Sequence, residues 1–545
     1  MIVRDREMGR HYDTWAIAIL GVLSAAISCS AAVQAINESK IRAHTQFLAD
    51  DMLGGRGVGS EGEELAIRYV AAQFQAMGLS PGGEHGSYFQ KVPLVATKAD
   101  PSMTLSFRIG NKTMTARYGE EIIANTPLQE ENVTIRDKEL VFVGYGIQAP
   151  EYEWDDFKDA DVKDKVLLFL NNDPNTDDPE FFGGKARLYY GRWTYKFEMA
   201  AQMGAAGAII IHTTPSAGYP WAVIKTWTGE QFALPLSEPK VKVEAWITED
   251  RIREILASAG TDLQTLYDAA QRREFRPVPL GIEVSIDIQS TVREMAGTNV
   301  LGLLPGRDPQ LKDEVVIFTA HSDHLGIGEP VEGDSIYNGA LDNASGVASI
   351  ITLAEAFTRL PTAPRRSILF MAVTAEESGL LGSAYYAAHP TFPPGKIAAN
   401  FNVDGINIYG PTRDVVILGL KKSDLGTLFT EAAHQQGRTA LADQMPEQGL
   451  FYRCDHFSFA KIGVPCCTLD QGLDAVGKPQ GWMRQQIDAY IENHYHQPSD
   501  EYDPDWNLQG AVTDLQLFFQ VALKVANQEQ MPHWTPGDEF EALRK

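Results

Sequence analysis

The sequence predicts an α/β fold with a mostly parallel central sheet flanked by helices, and a smaller α/β domain inserted into it. Short apolar runs of strand length recur after residue 295, helical stretches separate several of them, and the region before residue 290 has a similar pattern of its own. Strands that alternate with helices indicate parallel pairing, because the crossover helices cover both faces of the sheet. A chain of 545 residues is also too long for one ordinary hydrophobic core.

Residues 1–35 have the pattern of an export signal. Three early arginines precede the apolar run at 15–27, and small residues follow it. The run is shorter than an ordinary membrane-spanning helix, so we expect a secreted or periplasmic mature chain without a membrane span. Cys29 is a candidate lipid-anchor site, although Ala26 stands where such signals usually carry Leu. An uncleaved membrane anchor is the alternative.

The next region, residues 36–134, is predicted to be the first part of the larger domain. Apolar residues at helical spacing between 66 and 77, with Gly78 after them, predict a helix, and residues 85–127 resemble short strands. Residues 135–290 are predicted to form the inserted domain. Its aromatic loop at 189–195 either reaches a functional site or belongs to that domain's core.

The region 291–545 carries the clearest alternation of strands and helices. Apolar residues on one face predict a helix over 343–360. Strands are predicted at 314–320, 367–374, 398–403, 414–420 and 464–469. Ligands bind beyond the carboxyl ends of strands in such sheets, so the residues that follow each strand are the candidates for function.

Charged residues follow three of the predicted strands. Burying a charge at a strand end is costly unless a ligand or partner uses it. Imidazole and carboxylate together are a ligand set that suits zinc. The candidates after strands are His321, Asp323, Glu376, Glu377 and Asp404, and two more on loops are Asp342 and His496.

Charge and cysteine content exclude several other classes of protein. The formal net charge of -25 argues against nucleic-acid binding, which needs a basic surface. The sequence has no CxxC pattern for thiolate zinc and no GxSxG motif for a nucleophilic serine. In an exported protein, Cys454 pairs with Cys466 or Cys467, or all three thiols stay reduced and buried.

Five segments in this order resemble the motifs of metallopeptidase family 28, the two-zinc aminopeptidases and their glutamate-carboxypeptidase relatives. The segments read HSDHLG, LDNASG, AVTAEESGLLGS, NVDGIN and YHQPSDEYD. The resemblance covers roughly residues 295–545 and extends to an opening helix before the insert. The insert itself resembles a protease-associated domain through KVLLFLNND and MAAQMGAAGAIIIH.

The resemblance implies a site that holds two zinc ions per chain. Asp342 would bridge the two ions, and which carboxylate joins which histidine stays open. The implied metal ligands are His321, Asp342, Glu377, Asp404 and His496.

The resemblance also implies roles for residues around the ligands. Glu376 would be the general base, and Tyr495 would polarise the scissile carbonyl. Asp323 would accept a hydrogen bond from the other ring nitrogen of His321, and Asp500 would support His496. His324 and His456, which could also bind metal, are support residues in this scheme.

The implied activity is removal of N-terminal residues from peptides with a free N-terminus. A strongly acidic chain favours a substrate with a free ammonium group. The first alternative is a glutamate-carboxypeptidase-like enzyme, which needs a basic pocket, and Arg192, Arg413 and Arg453 are candidates for it. The second alternative is a receptor or binding module on the same fold.

Overall fold

The computed structural model describes residues 31–174, 176–178 and 181–544. Most of the predicted export signal, with Cys29, lies outside the described residues. Residues 31–35 were predicted to belong to that signal, and they are helical, with Ala32 and Ala35 buried in the core of the larger domain. In the described part of the chain, no helix is long and apolar enough to cross a membrane.

After residues 31–35, the chain has two helices and a series of strands, and the α/β part of the insert follows them. The elements are α1 Glu38–Leu48, α2 Glu61–Ala76, β1 Phe89–Ala99, β2 Thr104–Ile109, β3 Lys112–Arg117, β4 Ile122–Asn125, β5 Asn132–Phe142, β6 Val166–Leu170, α3 Trp193–Gln202, β7 Gly207–His212, α4 Thr214–Ala217, α5 Trp221–Lys225, β8 Gln231–Ala233, β9 Val243–Thr248, α6 Glu249–Ser258, α7 Leu263–Ala270 and β10 Val278–Leu304.

After this long strand, strands and helices alternate as predicted. The elements are β11 Val315–His321, β12 Gly326–Val331, β13 Asp334–Tyr337, α8 Ser345–Thr358, β14 Ser367–Val373, α9 Leu381–Ala388, β15 Ile397–Asn402, β16 Asp414–Leu418, α10 Leu425–Gln435, β17 Thr439–Ala442, α11 His456–Ala460, β18 Cys466–Asp470, α12 Trp482–Asn493 and α13 Gln509–Asn527.

The larger sheet has the order β8-β1-β10-β14-β11-β15-β18-β16-β17. Its four central strands, β14, β11, β15 and β18, are parallel, and antiparallel pairs flank them. Successive residues of β14 point to opposite faces. Ile368 and Phe370 pack in one core, and Leu369 and Met371 pack in the other. The predicted α/β fold with a mostly parallel, helix-flanked sheet is therefore confirmed.

The second sheet belongs to the insert and has its own hydrophobic core, which extends from Ala99 to Ile288. Strands β5, β6, β7 and β9 are parallel, and β2, β3 and β4 complete the sheet. We predicted that residues up to 134 belong to the larger domain, but β2–β4 join the insert. Alternating apolar residues predict a strand without indicating which sheet it joins, so the sequence pattern could not place this boundary.

Strand β10 connects the two sheets directly. Its first half pairs with β5 in the insert, and its second half pairs with β1 and β14 in the larger domain.

Cys454, Cys466 and Cys467 are free thiols, so neither of the predicted pairings with Cys454 is present.

Candidate active site

The central parallel strands bring the predicted residues to one edge of the sheet. His321 is the last residue of β11, Glu376 and Glu377 follow β14, and Asp404 lies two residues beyond β15. Because these strands are parallel neighbours, their carboxyl ends meet at the same edge. The loop before α8 adds Asp342, and the segment after α12 adds His496, so the structure brings all five predicted metal ligands together.

Two groups of donors share the carboxylate of Asp342. Its Oδ1 lies 3.1 Å from His321 Nε2, and its Oδ2 lies 3.4 Å from His496 Nε2. His321 Nε2 is also 3.3 Å from Asp404 Oδ1, and His496 Nε2 is 3.1 Å from Glu377 Oε2. The geometry thus pairs His321 with Asp404 and His496 with Glu377, with Asp342 between the two pairs.

The charges of this cluster strongly affect one another. Burial lowers the pKa of both histidines, but the surrounding carboxylates outweigh it, holding His321 well above its usual value and His496 at about 10. Burial raises the pKa of Glu377, but His496 outweighs it and the pKa falls to about 2. Among the described residues, no Lys or Arg forms an ion pair with Asp342, Glu377 or Asp404. The donor atoms therefore surround a position that favours a cation.

Asp500 holds the loop that carries Asp342. Its carboxylate accepts hydrogen bonds from the backbone N–H groups of Leu341 and Asp342, each at 3.0 Å, and from the Tyr490 hydroxyl at 3.1 Å. We predicted that Asp500 supports His496, but these contacts go to the loop of Asp342 instead. The family resemblance was the basis of that prediction, and the fold brings the loop of Asp342 to the Asp500 carboxylate.

Asp323 has a related role beneath Glu376 and Glu377. Its carboxylate accepts from their backbone N–H groups at 3.1 and 3.4 Å. The predicted contact with His321 differs in detail, because Nδ1 lies 3.1 Å from the Asp323 backbone carbonyl and 3.9 Å from its carboxylate. The carbonyl therefore fixes the imidazole, while the carboxylate fixes the turn after β14.

His324 lies beside the donor cluster, whereas His456 packs against an aromatic ring. His324 Nδ1 is 2.6 Å from Glu377 Oε1, which orients that carboxylate toward His496. His456 is buried against the Phe451 ring, with the ring centroids 4.8 Å apart. Neither histidine forms an ion pair with Asp342, and the support role of His456 stays a prediction.

Glu376 and Tyr495 line the same cavity as the donor cluster. Glu376 Oε2 lies 4.0 Å from His321 Nε2, so this carboxylate is adjacent to the donors without joining them. Burial raises its pKa well above the usual value, and Asp404 and Glu377 raise it further. Burial also raises the pKa of Tyr495, although the guanidinium of Arg453 opposes this. Tyr495 therefore remains a hydroxyl donor.

The insert contributes one wall of the site. Gly218 lines the cavity that contains His321, and Arg453 lies over the Tyr219 ring at 5.4 Å. Tyr189 packs 5.5 Å from Tyr195 within the insert and 5.3 Å from Phe457 of the larger domain. The aromatic loop thus forms core in the insert and also contacts the larger domain.

Sequence reasoning missed Arg56, which is buried. Its guanidinium donates to the carbonyls of Ser322, Asn338 and Gly339 at 3.0, 2.6 and 3.0 Å. These bonds tie the end of β11 to the loop that carries Asp342. No motif in the GGRGVG segment marks its arginine, and only the unusual burial of Arg56 distinguishes it.

The candidate basic pocket is partly present. Arg192 and Arg453 line a recess next to Glu376, whereas Arg413 is more than half exposed and pairs with Asp474 at 2.7 Å. Arg413 is therefore not part of the candidate basic pocket.

Comparison with known proteins gives the following similarities. Residues 299–520 match Peptidase family M28. The chain is 26% identical over 344 residues to "Probable leucine aminopeptidase 2" of Arthroderma benhamiae, covering 58% of this chain and 57% of that protein. It is 27% identical over 208 residues to "Leupeptin-inactivating enzyme 1" of Streptomyces exfoliatus, covering 37% and 43%. The chain thus spans about half the length of these curated relatives.

Among solved structures, the aminopeptidase from Aneurinibacillus sp. strain AM-1 has a similar fold. The TM-score is 0.52 at 19% sequence identity, and the match covers 92% of this chain and 96% of that one. This similarity extends over both the larger domain and the insert, and at this identity it shows the fold alone.

Proposed function

The chain belongs to peptidase family M28, and on this basis we propose that it is a zinc-dependent aminopeptidase that hydrolyses N-terminal residues from peptides. The observation that supports this most is the convergence of two imidazoles and three carboxylates, with neighbouring donors 3.1–3.4 Å apart. The relatives named as aminopeptidases support the same class of reaction.

The donor set fits two zinc ions. Imidazole nitrogen and carboxylate oxygen are ordinary zinc ligands, and a shared carboxylate is suited to a pair of ions. We propose that His321 and Asp404 hold one ion, that Glu377 and His496 hold the other, and that Asp342 bridges them. Zinc bound there would act as a Lewis acid toward water and a peptide carbonyl.

Glu376 supplies the proton transfer in this proposal. Its buried carboxylate faces the same cavity and is free of direct pairing with the donors, so it can take a proton from the attacking water and pass it to the leaving amine. The hydroxyl of Tyr495 donates a hydrogen bond to the carbonyl oxygen as negative charge develops on it.

The choice of an aminopeptidase rests on the relatives and on charge. The chain has a net charge of -25, which favours a substrate with a free ammonium group. The carboxypeptidase alternative has one observation in its favour, since Arg192 and Arg453 could bind a substrate carboxylate. A binding module on this fold would not require Glu376 beside a complete donor set.

One assay separates these functions. The zinc-loaded protein is given free aminoacyl anilides, their N-acetylated forms and N-acetylated peptides with a C-terminal glutamate, each with and without a chelator. We expect cleavage of the free anilides alone, and loss of that cleavage with chelator. Cleavage of the blocked substrates would contradict the aminopeptidase function, and no cleavage of any substrate would favour the binding module.

We further propose that the chain is exported and that the insert is a protease-associated domain. The export proposal rests on the charged and apolar pattern of residues 1–35. Intact mass spectrometry of the protein recovered outside the cytoplasm would give the cleavage site and would show whether Cys29 carries a lipid. The insert's contribution of Gly218 to the cavity wall supports a role in limiting substrate size.

A further inference from the structure

The cavity that contains Glu376 continues into a largely apolar region beyond the donor cluster. Its volume is about 260 Å³. Apolar side chains from four different segments line this region, namely Ile406, Leu418, Met445, Leu450 and Ile487. A lining of this kind suits the side chain of a substrate residue held next to the reacting carbonyl.

Two carboxylates, those of Asp470 and Asp514, interrupt this apolar lining. Asn402 of β15 pairs with Thr468 of β18. Asp404 and Asp470 each lie two residues further along, so they stand beside each other at the same edge of the sheet. Asp470 lines the cavity and is partly accessible from it. Its carboxylate accepts a hydrogen bond from the backbone N–H of Gln471 at 2.7 Å.

Asp470 has no cationic partner among the described residues, which distinguishes it from the other acidic residue in this part of the cavity. Asp514 pairs with Arg438 at 2.7 Å and is thereby neutralised. Arg453 is the one Lys or Arg among the described residues that line the cavity, and it lies beside Tyr495 and over the Tyr219 ring. Asp470 is therefore left as an uncompensated carboxylate in an apolar surrounding.

We propose that this region of the cavity receives the side chain of an N-terminal lysine or arginine, with Asp470 binding its cationic end. The apolar residues would cover the methylene stem, as they commonly do for long basic side chains. A leucine side chain would instead leave the Asp470 carboxylate desolvated and unpaired, which is unfavourable. This inference rests on the proposed function, because it assigns the substrate class of the same site.

The test compares lysine with norleucine, which has the same carbon chain without the ammonium group. Wild type and Asp470→Asn, both loaded with zinc, are given lysyl and norleucyl anilides, and kcat/KM is measured for each. We expect wild type to prefer the lysyl substrate and the variant to lose at least about 10-fold of that preference. The norleucyl value should stay the same or rise. An unchanged preference in Asp470→Asn would overturn the proposal.

Asp313→Asn is the matched control, because it makes the same chemical change at an exposed carboxylate just before β11, at the other end of that strand from His321, and does not line the cavity. It should keep the wild-type preference, and a loss equal to that of Asp470→Asn would overturn the proposal in favour of a general charge effect. If Asp470→Asn does not fold, Asp470→Ser provides the same comparison.

Calorimetric binding of free lysine and norleucine separates this inference from the proposed function. If no anilide is cleaved, the proposed function fails. The binding data alone then decide whether Asp470 binds a cationic side chain. Tighter binding of lysine to wild type that is lost in Asp470→Asn supports the role of Asp470. Equal affinity for the two amino acids in wild type overturns it.

Discussion

Buried charges occur in two parts of this molecule, and the protein treats them differently. In the insert, the fully buried ammonium of Lys196 donates to the carbonyls of Tyr145, Asn172 and Tyr190, each at 2.7 Å. In the larger domain, Asp342, Glu377 and Asp404 converge with two histidines, and no Lys or Arg among the described residues forms an ion pair with them.

The difference separates a structural charge from a functional one. All three N–H donors of Lys196 have acceptors, so that site is complete within the protein itself. The carboxylates near His321 exceed the cations available to them, which is unfavourable for buried groups unless a ligand supplies positive charge. The hydrogen bonds of Lys196 therefore indicate a role in packing the insert, whereas the carboxylates near His321 indicate a binding site.

The largest effect is expected for Glu376→Gln. The variant keeps the shape of the side chain but cannot take a proton from water, so kcat should fall by about 10²–10⁴-fold. Zinc content should stay at the wild-type level, because Glu376 is adjacent to the donors and is not one of them. Steady-state kinetics and elemental analysis check the two parts.

Glu329→Gln is the control for this prediction. Glu329 lies on the exposed strand β12, and the same substitution there should leave kcat unchanged. Wild-type turnover in Glu376→Gln would show that another group transfers the proton.

A somewhat smaller effect is expected for Tyr495→Phe. Loss of one hydrogen bond to the developing oxyanion reduces kcat by about 10²–10³-fold in comparable sites. KM should change much less, since the bond strengthens only in the transition state. Tyr385→Phe, on α9 away from the cavity, should behave as wild type. A rise in KM with unchanged kcat would instead assign Tyr495 to substrate binding.

The smallest effect on activity, with a clear effect on stability, is expected for Lys196→Met. Three buried carbonyls lose their donor, so the free energy of unfolding should fall by about 3 kcal/mol or more. Lys242→Met, at an exposed position in the same domain, should change it by less than about 0.5 kcal/mol. Urea titration measures both. A stable Lys196→Met variant that loses zinc would remove the distinction between the two kinds of site.

The sequence predicted the fold of the larger domain well, because strands such as β11 and β14 are apolar runs that end in charged residues. It also identified all five donors that the structure brings together. It could not predict the insert boundary, since β2–β4 resemble strands of either sheet. The contacts of Asp500 and Arg56 depend on which loops the fold brings together, and no local pattern encodes that.

Two details of the site also depend on the fold and not on a local sequence pattern. The pairing of His321 with Asp404 could not be chosen from sequence, because both carboxylates follow parallel strands at one edge of the sheet. Asp470 directly follows the predicted strand at 464–469, but it was overlooked because no recognised motif surrounds it. Its significance depends on the absence of a cationic partner among the described residues, which is a property of three-dimensional packing.

Elemental analysis of zinc in the purified protein measures whether the five donors bind two metal ions. Wild type dialysed against zinc and then against buffer should retain two ions per chain. Asp342→Ala should retain at most one, because it removes the carboxylate between His321 and His496, whereas Glu329→Gln should retain both. Wild type that binds no zinc, or Asp342→Ala that keeps two ions, would show that these donors do not form a two-zinc site around Asp342.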